Sequence, residues 1–174
     1  MILAEDEASL YLQATTTRVW APRGRPPVVR LAPNRSKVNF SGTLDLKSGQ
    51  QIVQQADTLN SENTTRYLQK LLEHYPDQPI RLLWDRAKWH QGSAVKEFLQ
   101  AQPRLEVMFF PPASPELNPQ EQVWKVARQA VSHNHSVLKL PSLAQAFEAF
   151  WSITSFSSNF LKPFALHKIC PQSI

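Results

Sequence analysis

The chain has 174 residues, of which 42% are hydrophobic and 19% are charged, and its formal net charge is +5. Its length suits one domain with a sizeable core, and no apolar run approaches the roughly 18 residues that a membrane-spanning helix needs. The start of the chain turns acidic after a few apolar residues, which excludes a signal peptide. A single cysteine, Cys170, excludes an internal disulfide framework and a cysteine-rich zinc site. We therefore expect a cytoplasmic protein without a membrane partner.

Basic residues dominate both ends of the chain. No acidic residue lies between Ala8 and Leu44, whereas this segment contains Arg18, Arg23, Arg25, Arg30, Arg35 and Lys37. Lys125 and Arg128 follow Glu121. Basic flanks of this kind would attract a polyanion such as DNA, because each phosphate contact releases condensed counterions. A solvated surface with a modest excess of arginine is the alternative, and composition alone slightly favours it.

The first 46 residues alternate between apolar and polar positions and are rich in β-branched side chains. They are interrupted by Pro22, Gly24, Pro26, Pro27 and Gly42, a pattern typical of an antiparallel meander of about three strands. The next segment, SENTTRYLQKLLEHY, has apolar residues at helical spacing and predicts a helix with Ser61 as its N-cap.

Short apolar runs and amphipathic segments alternate after this helix. PIRLLWD and RLEVMFF are nearly continuous apolar runs, as expected of strands buried on both faces. GSAVKEFLQAQP, between them, predicts a helix, and two further helices are predicted after Pro119 and over PSLAQAFEAFWSIT. The order predicts an α/β fold with a mixed sheet, in which a three-stranded antiparallel meander and parallel strands are flanked by helices. The ribonuclease H-like fold has this order of elements.

Three acids occupy positions at which such a sheet could build a site. Asp6 lies in the first strand, and Asp85 ends the run IRLLWD, at a strand terminus where ligands commonly bind. A central first strand beside the strand of Asp85 would bring these two acids together, and a helix packed over them could supply Glu121. Three converging carboxylates suit a hard divalent cation such as Mg²⁺, and two such ions about 3.5–4 Å apart promote phosphodiester cleavage.

Each acid also has a purely structural interpretation. The string NPQE, residues 118–121, resembles a capping box in which the glutamate only caps a helix. Asp85 could simply begin a turn. Asp6 lies in a Glu-Asp-Glu run of the kind usually found on a solvated face, although strand alternation places Asp6 on the face opposite Glu5 and Glu7. The residues by themselves leave both interpretations open.

Three strings together resemble the signatures of a known family. DE in the first strand, WDRAKWHQG after the buried strand, and FFPPASPELNPQEQVW are similar to the three signatures of mariner-like DDE transposases, most of all to the bacterial insertion-sequence branch. The similarity runs from Asp6 to about Val131 and includes the string VWAPRGRPPVV. SPELNPQE…W with an upstream DxAxxH is highly specific, whereas either string alone would be moderate evidence.

The resemblance implies a ribonuclease H-like catalytic domain over residues 1–155 and a C-terminal tail or helix over 156–174. It also implies a catalytic and metal-binding triad of Asp6, Asp85 and Glu121, two Mg²⁺ or Mn²⁺ ions, nicking of transposon ends and strand transfer to target DNA. Glu121 would then serve the metal from a helix whose cap fixes its backbone. Complete transposases of this type carry a helix-turn-helix region before the catalytic domain. Because Asp6 lies five residues from Met1, we expect that region to be absent here and to be supplied within a homodimer or by a partner polypeptide.

Arg86 departs from the family pattern, in which many relatives have asparagine after the second aspartate. An arginine there could pair with Asp85 and compete with metal, or it could contact a phosphate. His90 matches the histidine of DxAxxH, and it could orient another group, contact DNA, or simply start a helix. The expected DNA contacts are Arg18, Arg23, Arg25, Arg30, Arg35, Lys37, Arg86, Lys88, His90, Lys125 and Arg128.

The leading hypothesis is a metal-dependent DDE endonuclease and strand-transfer domain acting at insertion-sequence ends, in the nucleoid of a bacterial cytoplasm. A second hypothesis is a non-catalytic DNA-binding or oligomerisation module, the remnant of a truncated transposase. A third is a different ribonuclease H-like nuclease. The presence of all three acids favours the first over simple loss of the site.

Overall fold

The fold is built around a mixed sheet of five strands. The computed structural model describes residues 1–31, 33 and 35–156. The strands are β1 (Ile2–Tyr11), β2 (Lys37–Asp45), β3 (Gln51–Ala56), β4 (Ile80–Trp84) and β5 (Leu105–Phe109), in the spatial order β3-β2-β1-β4-β5. The first three pair antiparallel, and β4 and β5 extend the sheet in parallel. The predicted mixed sheet is confirmed.

Helices cover both faces of this sheet. They are α1 (Ser61–His74), α2 (Ser93–Ala101), α3 (Pro119–Val131) and α4 (Leu140–Ile153), with short 3₁₀ helices at Lys88–Gln91 and Pro115–Leu117. Helices α1 and α2 pack on one face, where Leu68 and Leu71 meet Leu3 and Leu82. Helices α3 and α4 pack on the other. No helix in the described ranges is both long enough and apolar enough to cross a membrane.

The boundaries of the predicted meander are wrong. Its third strand is Gln51–Ala56. The described residues between β1 and β2, predicted to contribute strands, form an irregular connection that contains one isolated bridge among them, from Thr15 to His133. Val28 is 88% exposed and Trp20 is fully exposed. Several prolines in this connection lack the N–H donor that a strand ladder requires. Trp20 and Val28 therefore gain neither sheet pairing nor core burial, whereas Leu12 and Ala14, at the start of the connection, are buried.

Three smaller predictions also differ from the structure. Strand β5 is an edge strand rather than one buried on both faces, because Met108 and Phe109 are exposed. Helix α1 is capped by Asn60, whose side chain accepts the N–H of Asn63, and not by Ser61. The predicted tail, residues 156–174, lies outside the described residues except for Phe156, whose N–H donates to the carbonyl oxygen of Gly49.

Candidate active site

A cavity of about 340 Å³ contains all three predicted acids. Asp6, Asp85 and Glu121 line it, and the rest of its wall comes from Arg86, Ala87, Asn118 and the proline-rich segment 110–115. Acids from three separate parts of the sequence thus share one concave surface. The nearby Glu116 is exposed and is not among the lining residues.

The sheet register brings Asp6 and Asp85 to the same level. Strand β1 is central, and Ala4 pairs with Leu83 in the parallel ladder to β4. Asp6 lies two residues beyond Ala4, and Asp85 lies two residues beyond Leu83, just past the end of β4. Neighbouring parallel strands rise by nearly the same distance per residue. The two carboxylates therefore reach the cavity from adjacent positions.

Glu121 reaches the cavity because Asn118 caps α3 without its help. The Asn118 side chain accepts the N–H of Gln120 at 3.0 Å and donates to the carbonyl oxygen of Glu5 at 3.0 Å. The Asn118 N–H donates to the carbonyl oxygen of Pro115 rather than to Glu121, so the reciprocal half of a capping box is not formed. The cap joins the start of α3 to β1, and the carboxylate of Glu121 remains available to the cavity.

Gly42 allows α3 to lie close to the sheet. It pairs with Asp6 in the middle of β2, not in a turn as its sequence context indicated. A Cβ atom at this position would lie 2.4 Å from Cη2 of Trp124, a fully buried side chain of α3. Glycine is the residue that permits so close an approach. The helix that carries Glu121 therefore packs directly over the strand pair that carries Asp6.

The environment of Asp6 favours a bound cation. Its side chain is buried, and Oδ2 has no hydrogen-bond partner among the described residues. Burial, followed by the negative charges of Glu121, Glu7 and Asp85, raises the pKa of Asp6 to about 8. A divalent cation would replace the missing partner and neutralise the repulsion. The donor set, with carboxylate oxygens only, suits Mg²⁺ or Mn²⁺.

Asp85 is held on one of its two oxygens. Oδ1 accepts the Ala87 N–H at 2.9 Å and lies 2.8 Å from Nδ1 of His90. Burial would raise the pKa of Asp85, but the hydrogen bonds from His90 and Ala87 outweigh it and keep the pKa below the ordinary value. The side chain is 45% exposed. Asp85 is therefore ionised and oriented at the rim of the cavity.

Two acids beside Asp6, Glu5 and Glu7, were not among the predicted site residues, because a Glu-Asp-Glu run is usually found on a solvated face. Glu5 is 1% exposed and bonds to Nε1 of Trp84. Burial and the charges of Glu7 and Asp6 raise the pKa of Glu5 well above its ordinary value. Glu7 accepts from Trp89 and contacts His90. The signal was present in the alternation, since Glu5 and Glu7 share their strand face with Leu3, a core residue.

The predicted basic contacts fall into separate groups. Arg86 lines the cavity, donates to the carbonyl oxygen of Phe110 and stacks over Phe109, and it forms no ion pair with Asp85. His90 is buried between the acids, which favours an orienting role over a DNA contact. Lys88 and Lys125 are exposed, and Arg128 is partly buried. The exposed residues of the connection and of the start of β2 are Arg18, Arg23, Arg25, Arg30, Arg35 and Lys37.

The described contacts do not bring the arginine-rich connection to the acids. Thr17 near its start is bonded to Asn134, which follows the end of α3, whereas Glu121 is on the first turn of that helix. Trp84 and Trp124 are fully buried core residues. Trp89 donates its indole N–H to Glu7.

Known proteins share this fold and sequence pattern. The chain is 22% identical over 155 residues to the insertion element IS630 uncharacterized 39 kDa protein of Shigella sonnei, covering 88% of this chain and 45% of that protein. The Mos1 mariner paired end complex with Mg superposes with a TM-score of 0.73 at 16% identity, covering 97% of this chain and 54% of that one. The catalytic domain of Mos1 mariner transposase superposes with a TM-score of 0.64 at 14% identity, covering 95% and 76%.

These comparisons confirm the ribonuclease H-like fold expected from the order of elements. The chain spans about half the length of the IS630 protein and of the Mos1 chain in the paired end complex. A sequence model of the DDE superfamily endonucleases matches residues 2–144, a segment that contains Asp6, Asp85 and Glu121. The chain belongs to the DDE superfamily endonuclease family.

Proposed function

We propose that this chain is the catalytic domain of a transposase, which nicks DNA at insertion-sequence ends and joins the freed end to target DNA. The observation that carries the proposal is the convergence of Asp6, Asp85 and Glu121, from β1, the end of β4 and the first turn of α3, on one cavity. Because the chain spans about half the length of its relatives, substrates and partners are proposed here for this domain alone.

Asp6, Asp85 and Glu121 would hold the divalent cations. A bound Mg²⁺ or Mn²⁺ ion supplies Lewis-acid polarisation of a phosphodiester and neutralises charge around it. The Mos1 mariner paired end complexes with Mg and with Mn support this choice of ions. Asp6, with an unpartnered buried oxygen, would lie at the centre of the set, and Asp85 and Glu121 would complete it from either side.

Two ions rather than one are proposed from the chemistry of the reaction. A pair of divalent cations can activate a water and stabilise the leaving oxygen of a phosphodiester. Asp6, Asp85 and Glu121, which line one cavity, would hold both ions between them.

DNA would enter from the side of the cavity that carries Arg86. Its guanidinium is exposed, is held over Phe109, and is not neutralised by Asp85. We propose that Arg86 and Lys88 contact the phosphate backbone beside the cleaved bond, and that the arginine-rich connection contacts DNA farther away. The Mos1 transposase paired-end complex with left transposon end supports DNA of this kind as substrate. We also propose that a second copy or a partner polypeptide contributes to DNA recognition.

Nicking of supercoiled plasmid in Mn²⁺ tests the proposal. Asp85→Asn and Glu121→Gln remove one ligand charge each, and we expect the nicking rate to fall by roughly 10³-fold or more, because the acids act as one unit. Glu116→Gln is the matched control. It changes an exposed glutamate five residues before Glu121, outside the cavity, and should nick like the unmodified chain.

Two results would contradict the proposal. Nicking that survives Asp85→Asn would show that the cutting activity does not depend on this cavity. If the unmodified chain binds DNA with a clear salt dependence but does not cut it in Mn²⁺, the non-catalytic remnant becomes the better assignment.

A further inference from the structure

We propose that Glu7 and His90 are positioning residues for Asp85: Glu7 fixes the ring of His90, and His90 holds one oxygen of Asp85 so that the other faces the cavity. This inference rests on the proposed function, in which Asp85 is a cation ligand. It gives a role to Glu7 and His90, which are buried just outside the cavity. It also connects the strings DE and DxAxxH, since Glu7 belongs to the first and His90 to the second.

The ring of His90 has a single orientation. Its side chain has no exposed surface. The ring stacks on Trp84 with centroids 3.8 Å apart and meets the Trp89 ring edge-on at 5.9 Å. Two aromatic walls at nearly right angles leave little freedom of rotation about the side-chain bonds. A planar ring with donors at opposite edges suits this slot, whereas a flexible lysine chain would not.

Both ring nitrogens face carboxylates. Nε2 lies 2.9 Å from Oε1 of Glu7, and Nδ1 lies 2.8 Å from Oδ1 of Asp85. Oε1 of Glu7 also accepts the indole N–H of Trp89 at 2.8 Å. Glu7 is thus fixed by two donors and in turn fixes the far edge of the imidazole. Because a carboxylate accepts hydrogen bonds, each ring nitrogen of His90 is placed to donate to the acid that it faces.

The local backbone completes the geometry at Asp85. The Ala87 N–H donates to Oδ1 of Asp85, and the His90 N–H donates to the carbonyl oxygen of Ala87 at 3.0 Å. This turn brings the ring of His90 back towards the carboxylate of Asp85. Oδ1 receives two donors, while Oδ2 accepts no hydrogen bond from the described residues. Histidine with a carboxylate behind it is a common way to orient a group at a metal site.

Strand alternation explains why Asp6 and Glu7 are adjacent. Successive side chains of β1 point to opposite faces of the sheet. Asp6 faces the cavity directly, while Glu7 faces the opposite layer and acts through His90. The three residues Glu5, Glu7 and His90 also lie close enough to hold an ion. However, the pair of Glu7 with His90 already occupies their facing atoms, so we assign them to positioning and not to a second metal site.

Mn²⁺ binding without DNA separates positioning from other roles. The affinity is measured by isothermal titration calorimetry, and the melting temperature in chelator reports the fold. Glu7→Leu and His90→Phe should weaken Mn²⁺ binding by ~10–100-fold, the usual effect of losing an orienting partner. His90→Phe retains an aromatic ring against Trp84. Glu7→Gln keeps an oxygen that accepts from His90 and should change the affinity by less than about threefold.

Control variants make each failure distinct. Glu97→Gln changes an exposed acid of α2 and should bind Mn²⁺ like the unmodified chain. Asp85→Asn should lose most of the binding, and if it does not, the ligand assignment under the proposed function fails. If Asp85→Asn loses binding while folded Glu7→Leu and His90→Phe keep it, the positioning role is overturned, and lost nicking in those variants would then point to a DNA contact.

A variant at a partly buried position guards against loss of folding. Should Glu7→Leu and His90→Phe fail to fold, Trp89→Phe removes only the second donor to Glu7. We expect it to remain folded and to weaken Mn²⁺ binding several-fold. An unchanged Mn²⁺ affinity in folded Trp89→Phe would count against the inference.

Discussion

Replacing Asp6 by asparagine should stabilise the metal-free protein increasingly as the pH rises. Burial and the charge of Glu121 raise the pKa of Asp6 to about 8 from an ordinary value of 3.8. Between these two values the unfolded chain carries an ionised Asp6, whereas the folded chain keeps the proton. The folded state therefore binds more protons, and the free energy of unfolding falls as the pH rises through this window. Asparagine has no such titration.

The expected size follows from the linkage relation. One proton of difference between the folded and unfolded states changes the free energy of unfolding by about 1.4 kcal/mol per pH unit. From pH 5 to pH 8, Asp6→Asn should thus gain roughly 4 kcal/mol relative to the unmodified chain. Asp6 is only 7% exposed, so solvent screening removes little of this effect. His90 also has a raised pKa, but it is present in both proteins and its effect largely cancels in the difference. The charge of Asp6 is one of those that raise the pKa of Glu5, so its removal acts on Glu5 in the same direction.

Urea unfolding in chelator at pH 5, 6, 7 and 8 measures the difference directly. Asp77→Asn is the matched control, because it changes an exposed aspartate in the turn before β4. The free energy of unfolding of Asp77→Asn should change with pH in the same way as that of the unmodified chain. Added Mn²⁺ should narrow the difference at pH 8, since an ion at 100 times its Kd stabilises the folded state by about 2.7 kcal/mol, and Asp6→Asn should lose this gain.

Parallel pH profiles for Asp6→Asn and the unmodified chain would refute the reasoning. That result would mean that Asp6 is ionised in the metal-free protein at neutral pH. The repulsion with Glu121 would then be too weak to hold a proton, and the cavity would be more open to water than its burial indicates.

Two further predictions concern the packing that positions the acids. Tyr67→Phe should lower the free energy of unfolding by about 1–3 kcal/mol in urea titrations, because the buried hydroxyl bonds to Thr43 and to the carbonyl oxygen of Ile52. As a control, Tyr11→Phe at an exposed position should change the free energy of unfolding by less than about 0.5 kcal/mol. Equal losses in the two variants would show that the buried hydroxyl is not the cause. Gly42→Ala should lower the free energy by about 1–3 kcal/mol and slow plasmid nicking, because its methyl group would meet Trp124. Trp124→Phe in the same chain removes the crowding atoms, so a double-mutant cycle should show partial recovery, and strict additivity would argue against the contact.

The order of elements and the three cavity acids could be predicted because each has a local signal. The apolar run of β4 ends visibly at Asp85, and the proline at position 119 marks the start of the helix that carries Glu121. The third strand was missed because QIVQQA has only three apolar residues among its six, and it forms through pairing with β2. Trp20 and Val28 show the converse, since these apolar residues are exposed in the irregular connection. Propensity is overridden in both places by tertiary context.

The roles of Glu5, Glu7 and Gly42 depend on residues far along the chain. Glu7 meets His90, 83 positions later. Position 42 must lack a side chain only because Trp124 packs directly over it. No local pattern contains either partner. The alternation that placed Glu5 and Glu7 with Leu3 indicated their burial, but it did not indicate what would satisfy a buried carboxylate.

The concentration of acids around β1 links metal binding to stability. Glu5 and Asp6 are buried next to each other, and burial together with the negative charges of nearby acids raises the pKa of each. A metal-free fold must hold protons on these groups or bear their repulsion, and both alternatives weaken it at neutral pH. Glu7 differs in its contacts, because Trp89 and His90 supply partners for its carboxylate. The acid with internal donors is the one assigned to positioning, and the acid with an unpartnered oxygen, Asp6, is the one assigned to the cation. Hydrogen-bond satisfaction thus distinguishes the two roles in adjacent residues of a single strand.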